Sequence, residues 1–356
     1  MKDVFEIQDE IARSIAERLK ITFTERDQGP LVKAGTTNVE AYQLYAKGRA
    51  LLYRRGGAIL SAVQCFEQAV AIDSDYALAW TGLADSYTTL GYYGLARPDA
   101  SMPKGMEAAR RAVALDNSLA EAHNALAMAS LLGVWDKAQA EREFLQAIKL
   151  NPTYVQARDW YALFYLQLAE GRLDEGAEEA KLALVSDPLS SYAHAIYGLT
   201  CVLAGREVEG IQMSRRAVEL DPDSYLARII LQVVLHAGGK FEESVAVGES
   251  TLAMSGRHTR SMTVLAVCLA DLGKGTEADA VYEEMLVRGR RQYVPPAMLA
   301  LAASAVGRED EAIELAREAY EVRDPHCEYF LSRHWYFPRR LYANPRFCQI
   351  ADQMGP

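Results

Sequence analysis

Apolar and polar positions in this chain are ordered on two scales at once. Within single stretches, apolar side chains recur three and four residues apart, the spacing of one face of an α-helix. Over longer distances the whole arrangement returns. Ser191–Ser224, SYAHAIYGLTCVLAGREVEGIQMSRRAVELDPDS, is followed by Tyr225–His258 built on the same rhythm. Gly171, Gly205, Gly239, Gly273 and Gly307 mark the step, each 34 residues after the one before. Each closes an apolar run and precedes a polar or acidic one, as a glycine does when it ends one helix ahead of the next. The pattern predicts a repeating unit of two helices joined by a tight turn.

The second helix carries a slot that stays small in every unit: Ala62, Gly105, Ala140, Gly176, Gly210, Ser244, Ala278 and Ala312. Seven residues on come Ala69, Ala112, Ala147, Ala183, Ala217, Thr251, Met285 and Ala319. Positions seven apart share a helix face, and small side chains there let two helices approach closely. The first helix has its own small slot, Gly48, Ala84, Ala127, Ala162, Gly198, Ala266 and Ala300, broken in the sixth unit by Gln232. Breakers such as IDSD, LDNS, LNPT and LDPD end the second helix and cap the next. One hairpin cannot bury both faces, so neighbours must stack, and the period is the length of one stackable hairpin.

Two stretches carry a specific resemblance. AWTGLADSY (Ala79–Tyr87) and AVQCFEQAVAID (Ala62–Asp73) resemble the first and second helices of the tetratricopeptide repeat, whose period is also 34 residues. The resemblance runs from about Thr37 to Pro325 in eight units, starting near Ala41, Ala77, Ala120, Val155, Ser191, Tyr225, Thr259 and Tyr293. The expected fold is all-α: an α-α superhelical solenoid of about eight such hairpins over residues 38–325. Unit two is expected to hold a long turn, Gly91–Pro103.

Around the solenoid, residues 1–24 read as an amphipathic helix with Ile7, Ile11, Ile15 and Leu19 in one stripe, and 25–37 as a linker. Residues 326–356 read as a helical cap, with Asn344 and Pro345 opening a last short helix. FEIQDEIARSIAERL, TTNVEAYQLYAKGRALL and the ending NPRFCQIADQMG further resemble the C-terminal part of bacterial signalling proteins. In those proteins similar repeats follow a nucleotidyl cyclase, a kinase or a winged-helix head. That resemblance implies a sensory, scaffolding or regulatory region; no head domain is within these residues, and the expectation is a fragment or a relative that lost the head.

Composition narrows the partners. The net charge of −10 argues against nucleic acid and anionic membrane as ligands of this region. Five cysteines, an odd number scattered along the chain, suit reduced thiols and a cytoplasmic setting. No stretch is apolar and long enough to span a bilayer.

Catalytic and metal constellations are not expected, and neither is a cofactor. The Gly-Lys pair in GGKF (Gly238–Phe241) lacks the rest of a phosphate loop. His326, Cys327, His334 and Cys348 match no zinc spacing. The acidic pairs Glu178–Glu179, Glu242–Glu243 and Glu283–Glu284 recur in one place and read as solvated helix starts.

The resemblance further implies that first helices line a concave face. Helical spacing then points Tyr42, Tyr45, Arg49 and Leu52 inward from unit one, and Thr81 and Asp85 from unit two. Asn124 and Met128 follow from unit three, Asp159 and Leu163 from unit four, and Tyr192, Ala195 and Leu199 from unit five. Tyr42 and Tyr45 equally suit packing against a folded-back N-terminal helix. The carboxylate clamp of chaperone-binding relatives would fall on Tyr45, Arg49 and Gly82, whose side chains do not supply it. The first expectation is a non-catalytic scaffold holding a peptide or partner helix in this groove. The alternatives are a regulatory region of a signalling enzyme, and a self-assembly module whose end faces join copies into a homo-oligomer.

Overall fold

The computed structural model describes residues 14, 35–331 and 339–354, so the expected N-terminal helix and most of the linker lie outside the described residues. The described chain is helical hairpins throughout. Unit one pairs α1 (Val39–Arg54) with α2 (Ala58–Ile72), and unit two α3 (Ala77–Tyr92) with α4 (Pro98–Leu115). In unit three α5 (Ala120–Met128) widens into a π-helical stretch, Ala129–Val134, before α6 (Lys137–Leu150). In unit four α7 (Val155–Trp160) does the same over Tyr161–Ala169 before α8 (Leu173–Ser186). Regular hairpins follow: α9 (Ser191–Leu203) with α10 (Glu207–Leu220), α11 (Tyr225–Ala237) with α12 (Phe241–Ser255), and α13 (Thr259–Asp271) with α14 (Gly275–Gly289). Unit eight pairs α15 (Pro296–Ala305) with α16 (Glu309–Glu321), and the cap adds α17 (Cys327–Leu331) and α18 (Pro345–Gln353).

Six of the eight expected unit starts, from Ala77 to Thr259, coincide with helix starts. Unit one opens two residues earlier, at Val39, where Asn38 caps the helix by accepting from the Ala41 amide at 3.0 Å. Unit eight opens three residues late, because Pro295 and Pro296 hold the chain extended until the second proline takes the first helical position. Units three and four start 35 and 36 residues before their successors, one and two more than the regular step, and the surplus goes into the π-helical turns. The long turn of unit two is shorter than expected: α4 begins at Pro98 and contains Pro103.

The periodic glycines take positive φ, 77° at Gly205 and 71° at Gly239, and end each first helix as the spacing requires. Every residue of both small slots of the second helix is buried. In unit five the contact is backbone on backbone: a Cβ on Gly198 would stand 2.8 Å from the Gly210 carbonyl, and one on Gly210 would stand 2.5 Å from the Gly198 carbonyl. Gln232, the exception in the first-helix slot, fits because Gly248 faces it, with room for no side chain (a Cβ there would meet Gln232 Nε2 at 2.3 Å). The recurrent acids pair across neighbouring units: Glu178 with Arg206 at 3.1 Å, Glu243 with Arg215 at 2.6 Å, Glu283 with Arg308 at 2.5 Å. Exposed pairs of this kind contribute about 0–1 kcal/mol each, so packing and not charge sets the stacking.

The solenoid closes on itself. The turn after α3 reaches across the interior to the other end of the chain. Tyr93 packs on Tyr225 at 6.5 Å and on His258 at 5.7 Å between ring centroids. Gly94 lies so close to Pro295 that a Cβ would meet its ring at 2.5 Å. Arg97 sits over the Tyr293 ring, and Trp135, in the turn of unit three, lies 5.9 Å from Tyr320. In the cap, Asn344 accepts from the Arg346 amide as the N-cap of α18, Phe347 packs edge-on to Phe330, and Arg346 pairs with Asp310 and Glu314 of α16. Among the described residues no helix is long and apolar enough to cross a membrane.

Gly210→Val is expected to lower stability by about 1–3 kcal/mol through overpacking. Gly289→Ala, whose Cβ meets nothing within 4 Å, is expected to leave it unchanged or raise it by up to about 1 kcal/mol. Urea midpoints measured side by side check this, and equal midpoints would remove the close approach in unit five as a determinant of the fold.

Candidate functional site

Closure turns the concave face into an interior. A narrow cavity of about 80 Å3 lies between the first helices of units two to eight and the cap. Its wall is largely aliphatic and aromatic: Leu132 and Phe164 from the two π-helical stretches, Ile230 from α11, Val264 from α13, Met298 from α15 and Tyr329 from α17. Widening a first helix where the wall bends thus gives the cavity two of its sides. Beside it lies a smaller recess lined by Arg49, Leu52, Tyr53, Arg55, Asp85, Gln156 and Trp160. Arg55 and Trp160 line both, so the recess adjoins the cavity and is taken as its mouth.

The residues expected to line the groove divide into three sets. Met128, Leu163, Tyr192 and Leu199 line the cavity, and Tyr192 accepts a hydrogen bond from Trp160 Nε1 at 2.6 Å. Arg49, Leu52 and Asp85 line the mouth. There Arg49 reaches Asp85 at 3.4 Å and the Tyr53 hydroxyl at 3.2 Å, with its guanidinium over the Tyr53 ring. The rest line neither space. Tyr45 leans on Tyr76 and Phe66, at 5.3 and 6.0 Å between centroids, and burial pushes its phenol up to about 12. Tyr42 is half-buried on α1, Ala195 is buried, and Thr81 is buried with its hydroxyl donating to the Ala77 carbonyl. Asn124 and Asp159 are fully buried at successive rungs of the inter-unit seam.

Tyr53 and Arg55 were not among the expected residues. Tyr53 is 65% exposed at the mouth, and Arg55 holds a left-handed conformation, φ 60°, that ordinary side chains rarely adopt. The break in the helix at Arg55-Gly56-Gly57 was the available signal.

The electrostatics of this face are those of desolvation. Burial pushes the Asp85 carboxyl up to about 6 even with Arg49 beside it, and its Oδ1 meets no protein partner. Burial alone holds the Asp159 carboxyl well above the usual carboxylate range, and neither of its oxygens meets a protein partner. Both polar atoms of the Asn124 amide are likewise without one. At the far side, His258 bonds the Tyr225 hydroxyl at 2.9 Å and burial pushes it down to about 4, so it is neutral at pH 7. His326 bonds Asp324 at 2.8 Å and stacks on Tyr92; Cys348 donates to the Tyr342 carbonyl, and His334 lies outside the described residues. Among the described residues no three His, Cys, Asp or Glu side chains converge as a metal site would require.

No known family model matches the chain. A stretch of 132 residues is 26% identical to a putative adenylate cyclase 3 of Rhizobium meliloti (strain 1021). That match spans 36% of this chain and only 22% of that protein. Among solved structures, the human IFIT1 dimer with m7Gppp-AAAA superposes with a TM-score of 0.56 at 18% identity, over 89% of this chain and 77% of that one. Cut9 in the APC/C hetero-tetramer Cut9–Hcn1 gives 0.60 at 13% identity, over 98% and 60%. At such identities what is shared is the fold, the tetratricopeptide-repeat superhelix.

Asp159 binds its proton more tightly in the folded chain than in the unfolded one, so its contribution to stability is full below about pH 4 and is lost as pH rises. Asp159→Asn removes that loss. It is expected to raise the urea midpoint at pH 7 and to change it little at pH 3. An equal effect at both pH values would show that the carboxyl does not titrate out of range.

Proposed function

We propose that this tetratricopeptide-repeat superhelix is a non-catalytic interaction scaffold that takes a peptide or partner helix at the mouth of its interior. The observation that carries the reading is the meeting of Tyr53, Arg55, Arg49 and Trp160 around a recess that continues into an apolar cavity. Exposed aromatic and arginine side chains beside apolar wall are the composition of protein-binding hot spots. The partner segment suited to it is acidic with apolar anchors: its carboxylates face Arg55 and its apolar side chains face the cavity wall. Human IFIT1 is described with capped RNA. Here the inner wall is largely aliphatic and aromatic, which suits apolar side chains of a protein better than a phosphate backbone.

A second reading rests on the match to the putative adenylate cyclase. The chain would then be the regulatory part of a larger signalling protein, and the mouth would receive that protein's own head or its upstream partner. Detecting the polypeptide in its source cell with an antibody to these residues tests it. A species well above the mass of 356 residues supports this reading, and a species at that mass removes it.

The first reading is tested with an array of acidic amphipathic peptides probed by wild type and by a Tyr53→Ala, Arg55→Glu double variant. Both side chains are accessible, so helicity is expected to stay unchanged. Peptides bound by wild type in the micromolar range are expected to lose at least about tenfold in affinity, about 1.4 kcal/mol, in the variant. Retained binding in a folded variant would exclude the mouth.

A further inference from the structure

We propose that the cavity inside the superhelix binds a medium-chain carboxylic acid, its carboxylate on Arg260 and its alkyl tail along the aliphatic wall of units four to seven. Arg260 stands in the second position of α13 and lines the cavity deep in the molecule. No carboxylate among the described residues lies within ion-pair distance of it. Its guanidinium instead lies over the rings of Tyr92, at 4.9 Å, and Tyr329, at 5.4 Å, and donates to the Tyr92 hydroxyl. The two tyrosine hydroxyls are 2.5 Å apart, so they are spent on each other and on Arg260.

Taking a cation out of water without an anion is costly, and two aromatic faces offset only part of that cost. A buried acid of the cap, Glu328, does not pair with it. Glu328 is buried in α17, neither of its oxygens meets a protein partner, burial pushes it well above the usual carboxylate range, and the positive charge it senses is Lys137. Arg260 is therefore a buried positive charge facing a largely apolar cavity, with Arg55 at the cavity's other charged position, and the complementary ligand has one negative end and one apolar end.

The rest of the ligand follows from the wall. Leu163, Phe164, Ile230, Val233 and Val264 present no polar atoms for a sugar, nucleotide or peptide backbone to bond. At about 80 Å3 the space is narrow, which suits an unbranched chain better than a ring system. The planar guanidinium edge left free by the tyrosines matches a flat carboxylate in two parallel hydrogen bonds. Because Arg260, Tyr92 and Tyr329 belong to unit seven, unit two and the cap, a ligand held there ties the closure together. This goes beyond partner capture at the mouth, and the two fail separately, since capture depends on Tyr53 and Arg55.

Isothermal titration of the full chain with decanoate, below its micellar concentration, tests the proposal, with decanol and decyl phosphate in parallel. One decanoate per chain is expected, with decanol at least tenfold weaker. Arg260→Met is expected to lose at least tenfold, Arg260→Lys to recover part of it, and Ile230→Phe to weaken decanoate by filling the tail site. If Arg260→Met does not fold, the carboxyl carbon of labelled decanoate on wild type decides by NMR. It is expected to stay ionised to a lower pH than free decanoate. The proposal is overturned by no saturable binding, by equal binding of decanoate and decanol, or by tighter binding of decyl phosphate. Loss in Arg55→Met with none in Arg260→Met, or an unshifted carboxyl titration, overturns it as well.

Discussion

The Gly210 carbonyl and the Ser214 side chain occupy the space that any side chain on Gly198 would need. The same exclusion recurs within other hairpins, at Gly48 against Phe66 and at Gly176 against the Ala162 carbonyl. Close approach of paired helices brings the first helices nearer to one another on the inner side than the second helices are on the outer, and a stack of such wedges must curve. Curvature sustained over eight units brings the turn of unit two against units six to eight and the cap. The cavity lies inside the space that this return encloses.

Closure is made by aromatic rings and few ions. Tyr92, Tyr93, Tyr225, Tyr329, His258 and His326 bury their faces against one another and leave their polar ends in mutual hydrogen bonds. Such contacts combine a large apolar area with directional bonds, so they fix a geometry as well as hold it. Burial pushes His258 down to about 4, so this member of the junction stays neutral across the physiological range.

The buried charges follow a different logic from the surface ones. Arginine–glutamate pairs between neighbouring second helices repeat with the period and stay in water, where each contributes little. Asp85, Asp159, Glu328 and Arg260 lie inside, and among the described residues only Asp85 of these four has an opposite charge within ion-pair distance. Interior polar groups are ordinarily paired, so unpaired ones mark places where stability has given way to something else. Of the four, Arg260 lines the cavity and Asp85 the recess beside it, while Asp159 and Glu328 line neither.

The sequence alone determined the local architecture. The hairpin, its period, six of its eight starts, the glycine turns and the Asn344 cap all depend on residues within one unit, and helical spacing reads such short-range order directly. The Gln232 exception was visible but not its cause, because Gly248 lies on the partner helix. Met128, Leu163, Tyr192 and Leu199 share one face by helical spacing, which is local order of the same kind. What the tertiary structure decided is where that face leads. Tyr45 lies in a core and not a groove, Asn124 and Asp159 are fully buried, and the concave side narrows to a cavity with Arg260 in its wall. These outcomes join residues as far apart as Tyr92 and Tyr329, and they depend on a small rotation per unit accumulated along the whole stack. No single repeat encodes that sum.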